Sequence, residues 1–284
     1  MGVVLLFIGR GAEKQLGRRD GYVIVTVAWL AFSLFGMLPF YLSGYIPSIT
    51  NAFFETMSGF SSTGATILND IEKLPHGLLF WRSMTQWIGG LGIVFFTIAV
   101  LPIFGVGGIQ VFAAEASGPT HDKVHPRIGI TAKWIWGIYA GLTGTLIILL
   151  MFGGMNIFDS ICHAFATTST GGFSTKQASI EYYHSPYIEY VISIFMFISG
   201  INFTLLLLFV NGKLKKFVHD AELKWYFWSV TGFTIVIAAI LYYNSSMGVE
   251  EAFRKSLFQV ASLHTSTGFA TADYMTWPAI TWGM

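Results

Sequence analysis

Long apolar stretches alternate along the chain with short polar segments, on a scale set by a lipid bilayer. No Asp, Glu, Lys or Arg occurs in 21–54, 83–114, 134–158, 190–212 or 225–249. About 20 apolar residues cross the hydrocarbon core as a helix, so each stretch has room for one spanning helix. The pattern predicts an all-α integral membrane protein. A further apolar start, Met1–Ile8, lacks the basic leader of a signal peptide and reads as the tail of another spanning helix.

Composition agrees. Hydrophobic residues make up 54% of the 284 and charged residues 11%, against about 25% in an ordinary soluble domain. Aromatics at 17%, nine Trp among them, suit interfacial belts and lipid-facing surface. A net charge of +1 argues against nucleic acid as a partner. The single cysteine, Cys162, excludes an internal disulfide and a Cys-based metal cluster.

The basic residues give the chain a direction. Arg10, Lys14, Arg18 and Arg19 precede the first stretch, and Lys123, Arg127 and Lys133 fall between the second and third. Lys213, Lys215, Lys216 and Lys224 fall between the fourth and fifth. These are 11 of the 16 Lys and Arg, all on one side of an alternating topology, which the positive-inside bias places in the cytoplasm.

The segments on the outer side resemble one another. They read FFETMSGFSSTGATILND (53–70), FDSICHAFATTSTGGFST (158–175) and FRKSLFQVASLHTSTGFATAD (253–273). Each opens with a stretch of helical character too short to span and runs into Ser-Thr-Gly: Ser62-Thr63-Gly64, Ser169-Thr170-Gly171 and Ser266-Thr267-Gly268. The glycines are 107 and 97 residues apart, an internal repeat of helix, re-entrant loop and helix. The implied organisation begins with a helix remnant and cytoplasmic segment (1–20). Repeat one spans 21–108 with its pore loop at 51–70, and a cytoplasmic loop follows at 109–133. Repeat two spans 134–211 with its pore loop at 157–176, followed by a cytoplasmic loop at 212–224. A shortened repeat three spans 225–284 with its pore loop at 250–273.

Irregular backbone survives at membrane depth only where protein buries it or a wet cavity receives it. A short helix followed by Ser-Thr-Gly meets that condition when folded between spanning helices. Glycine reaches positive φ without a Cβ clash, so such a loop can turn successive carbonyls toward one axis. Carbonyls from several loops can then replace the water shell of a cation. Each short helix also aims its negative C-terminal end at the centre. Glu55, Asp159, Glu250 and Glu251, placed toward the other ends, complement the helix N-termini and can draw cations to the mouth. One Ser-Thr-Gly is an ordinary turn, but three in equivalent places point to an ion filter.

Other residues carry competing readings. Arg82, at the start of the second stretch, is either an interfacial anchor that snorkels to water or a support for the first pore loop. Asn202, in the polar gap Gly200-Ile201-Asn202-Phe203-Thr204, either bonds across helices or faces a cavity. His163 and His264 read as braces of the pore helices, since no third ligand clusters near either. Gly-rich 89–92 and 105–108 follow no strand and lack a GK[ST] ending, so close helix packing and a helix end explain them better than a phosphate loop. An intramembrane enzyme would need acids or histidines at depth, and the five apolar stretches contain no Asp, Glu or His. No catalysis and no cofactor are expected.

With these features the chain resembles the Trk/Ktr/HKT superfamily, specifically its bacterial TrkH-like branch. Further segments strengthen the resemblance: WRSMTQWIGGLGIVFFTIAVLPIFGVGGIQVFAAEASGP (81–119), HPRIGITAKWIWGIYAGLT (125–143) and ISGINFTLLL (198–207). The resemblance implies four repeats of helix, pore loop and helix around one central pore for K⁺. The filter positions carried over are Ser62, Thr63, Gly64, Ser169, Thr170, Gly171, Ser266, Thr267 and Gly268, with Gly172 an alternative to Gly171. A glycine at position 64 belongs with K⁺-selective members, whereas some plant relatives with serine there favour Na⁺. It also implies a multi-pass protein of the bacterial inner membrane, a homodimer gated by a cytosolic nucleotide-binding regulatory subunit of the TrkA/KtrA kind. Channel-like flow and symport with H⁺ or Na⁺ both stay open. Only three of the expected four pore loops occur in the 284 residues, and the glycine-rich gate of the third repeat's second helix is not reached. The chain is therefore expected to be a fragment of a longer transporter; a non-conducting truncated remnant and a Na⁺/K⁺ co-transporting relative are the alternatives.

Overall fold

The structure is a computed structural model that describes residues 18–99, 128–278 and 281. All regular elements among them are helical. The first unit comprises α1 (Arg18–Gly36), the short α2 (Leu38–Leu42), α3 (Ile49–Phe60) and α4 (His76–Ala99). The second comprises α5 (Ile128–Phe152), α6 (Ile157–Thr168), α7 (Pro186–Ser199) and α8 (Phe203–Val210). The third comprises α9 (Leu214–His219), α10 (Ala221–Asn244) and α11 (Val249–His264).

Local sequence sets the boundaries of the short helices. Ser48 starts α3 by accepting the Asn51 N–H through its hydroxyl, and Asn156 starts α6 by accepting the Asp159 N–H through its side-chain oxygen at 2.8 Å. Asp220 does the same for α10 at the Leu223 N–H, 3.0 Å away. α3 and α6 have 12 residues and α11 has 16. At roughly 1.5 Å per residue none reaches the roughly 30 Å of a hydrocarbon core. They are half-helices followed by loops, held between longer neighbours.

Packing shows how the units interlock. α3 lies against α1, α2 and α4, α6 against α5 and α7, and α11 against α10. Between units, α4 packs against both α5 and α6, α7 packs against α11, and α8 meets α9. Leu146 and Leu150 of α5, Ile188, Ile192 and Met196 of α7, and Phe258 and Ala261 of α11 form one buried cluster. α6 and α11 are therefore each anchored by their own unit and by the unit before it.

By length and composition, 133–152 in α5 and all of α10 are apolar helices long enough to cross a membrane, and 26–42 is a shorter apolar stretch. The segment 190–212 departs from the single spanning helix expected of it. α7 and α8 meet at a 99° bend. Gly200 closes α7, its N–H reaching the Met196 carbonyl while the Ile201 N–H reaches that of Ile198, and Asn202 opens α8 by accepting the Thr204 N–H at 3.0 Å. An Asn that caps a new helix stops the old one from continuing. Met1–Ile8, residues 109–127 of the cytoplasmic loop expected at 109–133, the glycines at 105–108 and the end of the 83–114 stretch lie outside the described residues, and 128–133 already belong to α5.

Candidate functional site, three converging loops

The loops after α3, α6 and α11 share one backbone conformation. Ser62, Thr170 and Ser266 have φ of 54°, 52° and 54°, and two residues later Gly64, Gly172 and Gly268 have φ of 76°, 74° and 82°. The N–H groups of Thr63, Gly171 and Thr267 return to Ser58, Ala166 and Ser262 of their own helices. This geometry fixes the register that the sequence left open by one. Ser62-Thr63-Gly64 and Ser266-Thr267-Gly268 correspond to Thr170-Gly171-Gly172, so Ser169 belongs with the helix-ending Ser61 and Thr265. The second triplet as read from sequence is displaced by one residue, because two adjacent glycines match any pattern that asks for one.

The loops touch each other at these glycines. A Cβ on Gly64 would collide with the Gly171 carbonyl, and one on Gly172 with the Thr267 carbonyl. Loop one therefore meets loop two just as loop two meets loop three. At Gly268, the third equivalent position, an added Cβ would meet no described atom within 4 Å.

Polar side chains buried behind the loops hold them in place. Gln86 of α4 donates to the Gly171 carbonyl at 2.6 Å and accepts the Phe173 N–H at 3.1 Å. Its amide occupies the space a Cβ on Gly171 would need. Glu55 and Arg82 pair at 2.6 Å, fully buried. Glu55 also accepts from the Thr66 hydroxyl at 2.9 Å and the Ile67 N–H at 3.1 Å. Arg82 donates to the Ser174 carbonyl at 2.9 Å and lies 3.6 Å from the centre of the Phe173 ring. The second loop has a brace like that of Glu55. His163 spans from the Asp159 carbonyl at 2.8 Å to the Ser174 hydroxyl at 2.9 Å. Counting from Gly64 and Gly172, Glu55 and His163 are equivalent residues, and so are Thr66 and Ser174.

Several expected roles change accordingly. Arg82 does not snorkel to water, because its guanidinium is committed to Glu55 and Ser174. Glu55 and Asp159 do not sit at the mouth: Glu55 lies in the middle of α3, and the buried Asp159 accepts from the Thr175 hydroxyl at 2.6 Å. Glu250 is exposed but paired to Arg254 at 2.8 Å, and Glu251 pairs with Lys255 at 2.8 Å. Arg254 also pairs with Glu189 of α7, a buried cross-unit contact that sequence reading missed. His264 meets the Ser229 hydroxyl at 2.9 Å across to α10. Asn202 is exposed, caps α8 and lines a cavity. Gly89 and Gly90 serve close packing, since added Cβ atoms would meet the Phe60 carbonyl and Ser169 at the ends of α3 and α6.

Gln86 also escaped sequence reading. The signal was there: an amide side chain, able to donate and accept at once, within an apolar helix one turn before Gly89-Gly90.

Repeated half-helices whose loops converge between spanning helices define the class, an all-helical integral membrane protein of pore-loop units around a central ion pore. The chain belongs to the TrkH family of cation transport proteins, whose family model matches residues 1–284. It is 42% identical to the Trk system potassium uptake protein TrkH of Escherichia coli (strain K12), over 98% of this chain and 58% of that protein. It is 40% identical to TrkH of Halomonas elongata, again over 98% and 58%. The crystal structure of the potassium transporter TrkH from Vibrio parahaemolyticus superposes with a TM-score of 0.84 at 34% identity, covering 98% of this chain and 59% of that one. The chain thus spans rather more than half the length of the relatives it matches.

Proposed function

We propose that this chain forms most of the pore of a K⁺ uptake transporter, with Ser62, Thr63, Gly64, Thr170, Gly171, Gly172, Ser266, Thr267 and Gly268 lining its selectivity filter. The observation that carries this reading is the successive contact of the loops, Gly64 on the Gly171 carbonyl and Gly172 on the Thr267 carbonyl. Loops locked edge to edge at backbone carbonyls suit dehydration of a cation of one size. Arg82, Glu55, Gln86 and His163 act from behind as braces. Gly268 carries the same backbone turn, and a Cβ added there would meet no described atom within 4 Å, which leaves room for a further loop to complete the ring. The basic segments 105–133 and 211–224 face the cytoplasm and dock a nucleotide-binding regulatory subunit, and the transporter works as a homodimer in the bacterial inner membrane.

The test is uptake of radiolabelled Rb⁺ and Na⁺ by cells carrying the full-length protein, with Gly64→Ser and Gly268→Ser beside the wild type. Loss of Rb⁺ preference over Na⁺ in the variants is expected. Unchanged selectivity in both would refute the filter assignment. The same assay on the 284-residue chain alone tests whether three loops conduct, and no flux is expected.

A further inference from the structure

Behind the loops lies an open cavity of about 450 Å³. Ser62, Ser169, Thr170 and Ser266, at the ends of the three short helices, form one part of its wall, and the break between α7 and α8 forms another. Glu222, in the first turn of α10, is the one charged residue among the described residues that line it. A second cavity of about 160 Å³ shares Gly200, Ile201, Asn202 and Glu222 with the first. Glu222 therefore stands at their junction, on the side of the basic segment 211–224.

Two further observations point to a ligand. Ser199, the last residue of α7, is 8% exposed, lines the larger cavity, and has a buried hydroxyl with no hydrogen-bond partner. The Ser62 hydroxyl, lining the same cavity, is buried and unpartnered as well. Buried hydroxyls rarely stay unsatisfied, and both would be satisfied by the water shell of a bound ion. The sign of the ion follows from the field. The short helices and α7 direct C-terminal ends, with their partial negative charge, at this space; the N-terminal ends of α8 and α10 oppose them, and the carboxylate of Glu222, with no described Lys or Arg in the wall, makes the balance negative.

The position of Glu222 is fixed by packing. One turn further along α10, the Tyr226 hydroxyl donates to the Phe197 carbonyl at 3.0 Å, and the two rings stack 4.6 Å apart. A Cβ on Gly200 would lie 2.5 Å from the Tyr226 hydroxyl oxygen, so the break in α7 and the first turn of α10 are fitted to each other.

We infer that Glu222, with Ser199 and Asn202, forms a second cation site at the cytoplasmic mouth of this cavity. It holds a partly hydrated monovalent cation after the filter and governs the rate of its exit. The inference rests on the cation-pore reading. A carboxylate in a first turn also complements the helix dipole, and that role alone would affect stability rather than flux.

The experiment uses the full-length protein in liposomes, with Rb⁺ flux measured per folded transporter at low and high concentrations of impermeant salt. Glu222→Gln is expected to lower flux about tenfold at low ionic strength, the scale of a focused charge's effect on local cation concentration. High salt should shrink the difference, Glu222→Asp should restore flux, and Rb⁺/Na⁺ preference and melting temperature should not change. Because Asp also caps helices, Asn202→Asp preserves the start of α8 while adding a charge, and it should raise flux in the Glu222→Gln background. If Glu222→Gln does not fold, Asn202→Asp alone should raise flux at low salt. A Glu222→Gln flux within about twofold of wild type at low ionic strength overturns the site, and so does an Asn202→Asp flux at low ionic strength no higher than wild type. Wild-type protein without Rb⁺ flux would instead overturn the pore reading, and this site with it.

Discussion

Arg82 and Glu55, 27 residues apart in the chain, meet through Nε and Oε1 at 2.6 Å with side chains 2% and 0% exposed. The pair joins α4 to α3, and the free edge of the guanidinium reaches across to Ser174 behind the second loop. One buried cation thus ties the half-helix of the first unit to the loop of the next.

Removing either partner leaves the other charge buried and uncompensated, a loss of about 3–5 kcal/mol. Arg82→Gln and Glu55→Gln should each lower the melting temperature of the full-length protein sharply. The double variant should lose clearly less than the sum of the two. Thermal unfolding in detergent, analysed as a double-mutant cycle, measures this coupling.

The two glycines of the second loop should respond differently to alanine. Positive φ by itself is tolerated in these loops, since Ser62, Thr170 and Ser266 all adopt it. What forbids a side chain at Gly172 is the Thr267 backbone carbonyl, which cannot move without the third loop. At Gly171 the obstacle is the Gln86 side chain, and no positive φ is required. Gly172→Ala should abolish Rb⁺ uptake, while Gly171→Ala should keep a measurable fraction. In the full-length protein Gly268→Ala should be as severe as Gly172→Ala if a fourth loop packs against it.

Gln86 must both donate and accept. Gln86→Leu strands the Gly171 carbonyl and the Phe173 N–H, each costing about 1–3 kcal/mol. Gln86→Glu keeps the acceptor but, when ionised, opposes the Gly171 carbonyl with a second acceptor, so it should not rescue. Both variants should lose stability and Rb⁺/Na⁺ discrimination together, read by melting temperature and competitive uptake.

His163 with Ser174 and Glu55 with Thr66 are the same brace built from different chemistry. Cycles of His163→Ala with Ser174→Ala, and of Glu55→Ala with Thr66→Ala, should each show coupling of about 0.5–3 kcal/mol in thermal unfolding. A cycle that crosses them, His163→Ala with Thr66→Ala, should be near additive, because the structure gives that pair no shared hydrogen bond.

Much of the architecture was legible in the sequence because one-dimensional signals decide it. Charge-free stretches of bilayer length require helices, and the short segments before Gly64 and Gly268 cannot span. Their recurrence marks repeats. The loop register of the second unit was not legible, since Gly171 and Gly172 are chemically identical and only φ tells them apart. The bend at Gly200–Asn202 was hidden for a related reason. Its hydropathy is that of a continuous span, and the capping choice of Asn202 shows only in three dimensions.

Membrane residence, the repeated half-helices and the glycine-bearing turns were thus determined by the chain itself, through the free energy of placing apolar residues in lipid and the φ freedom of glycine. Tertiary structure alone decided which polar residues support those turns. A lone Arg82, Glu55 or Gln86 in an apolar helix has no meaning until its partner is known. The partners stand 27 and 85 residues away in sequence, brought within hydrogen-bond distance only when adjacent units pack.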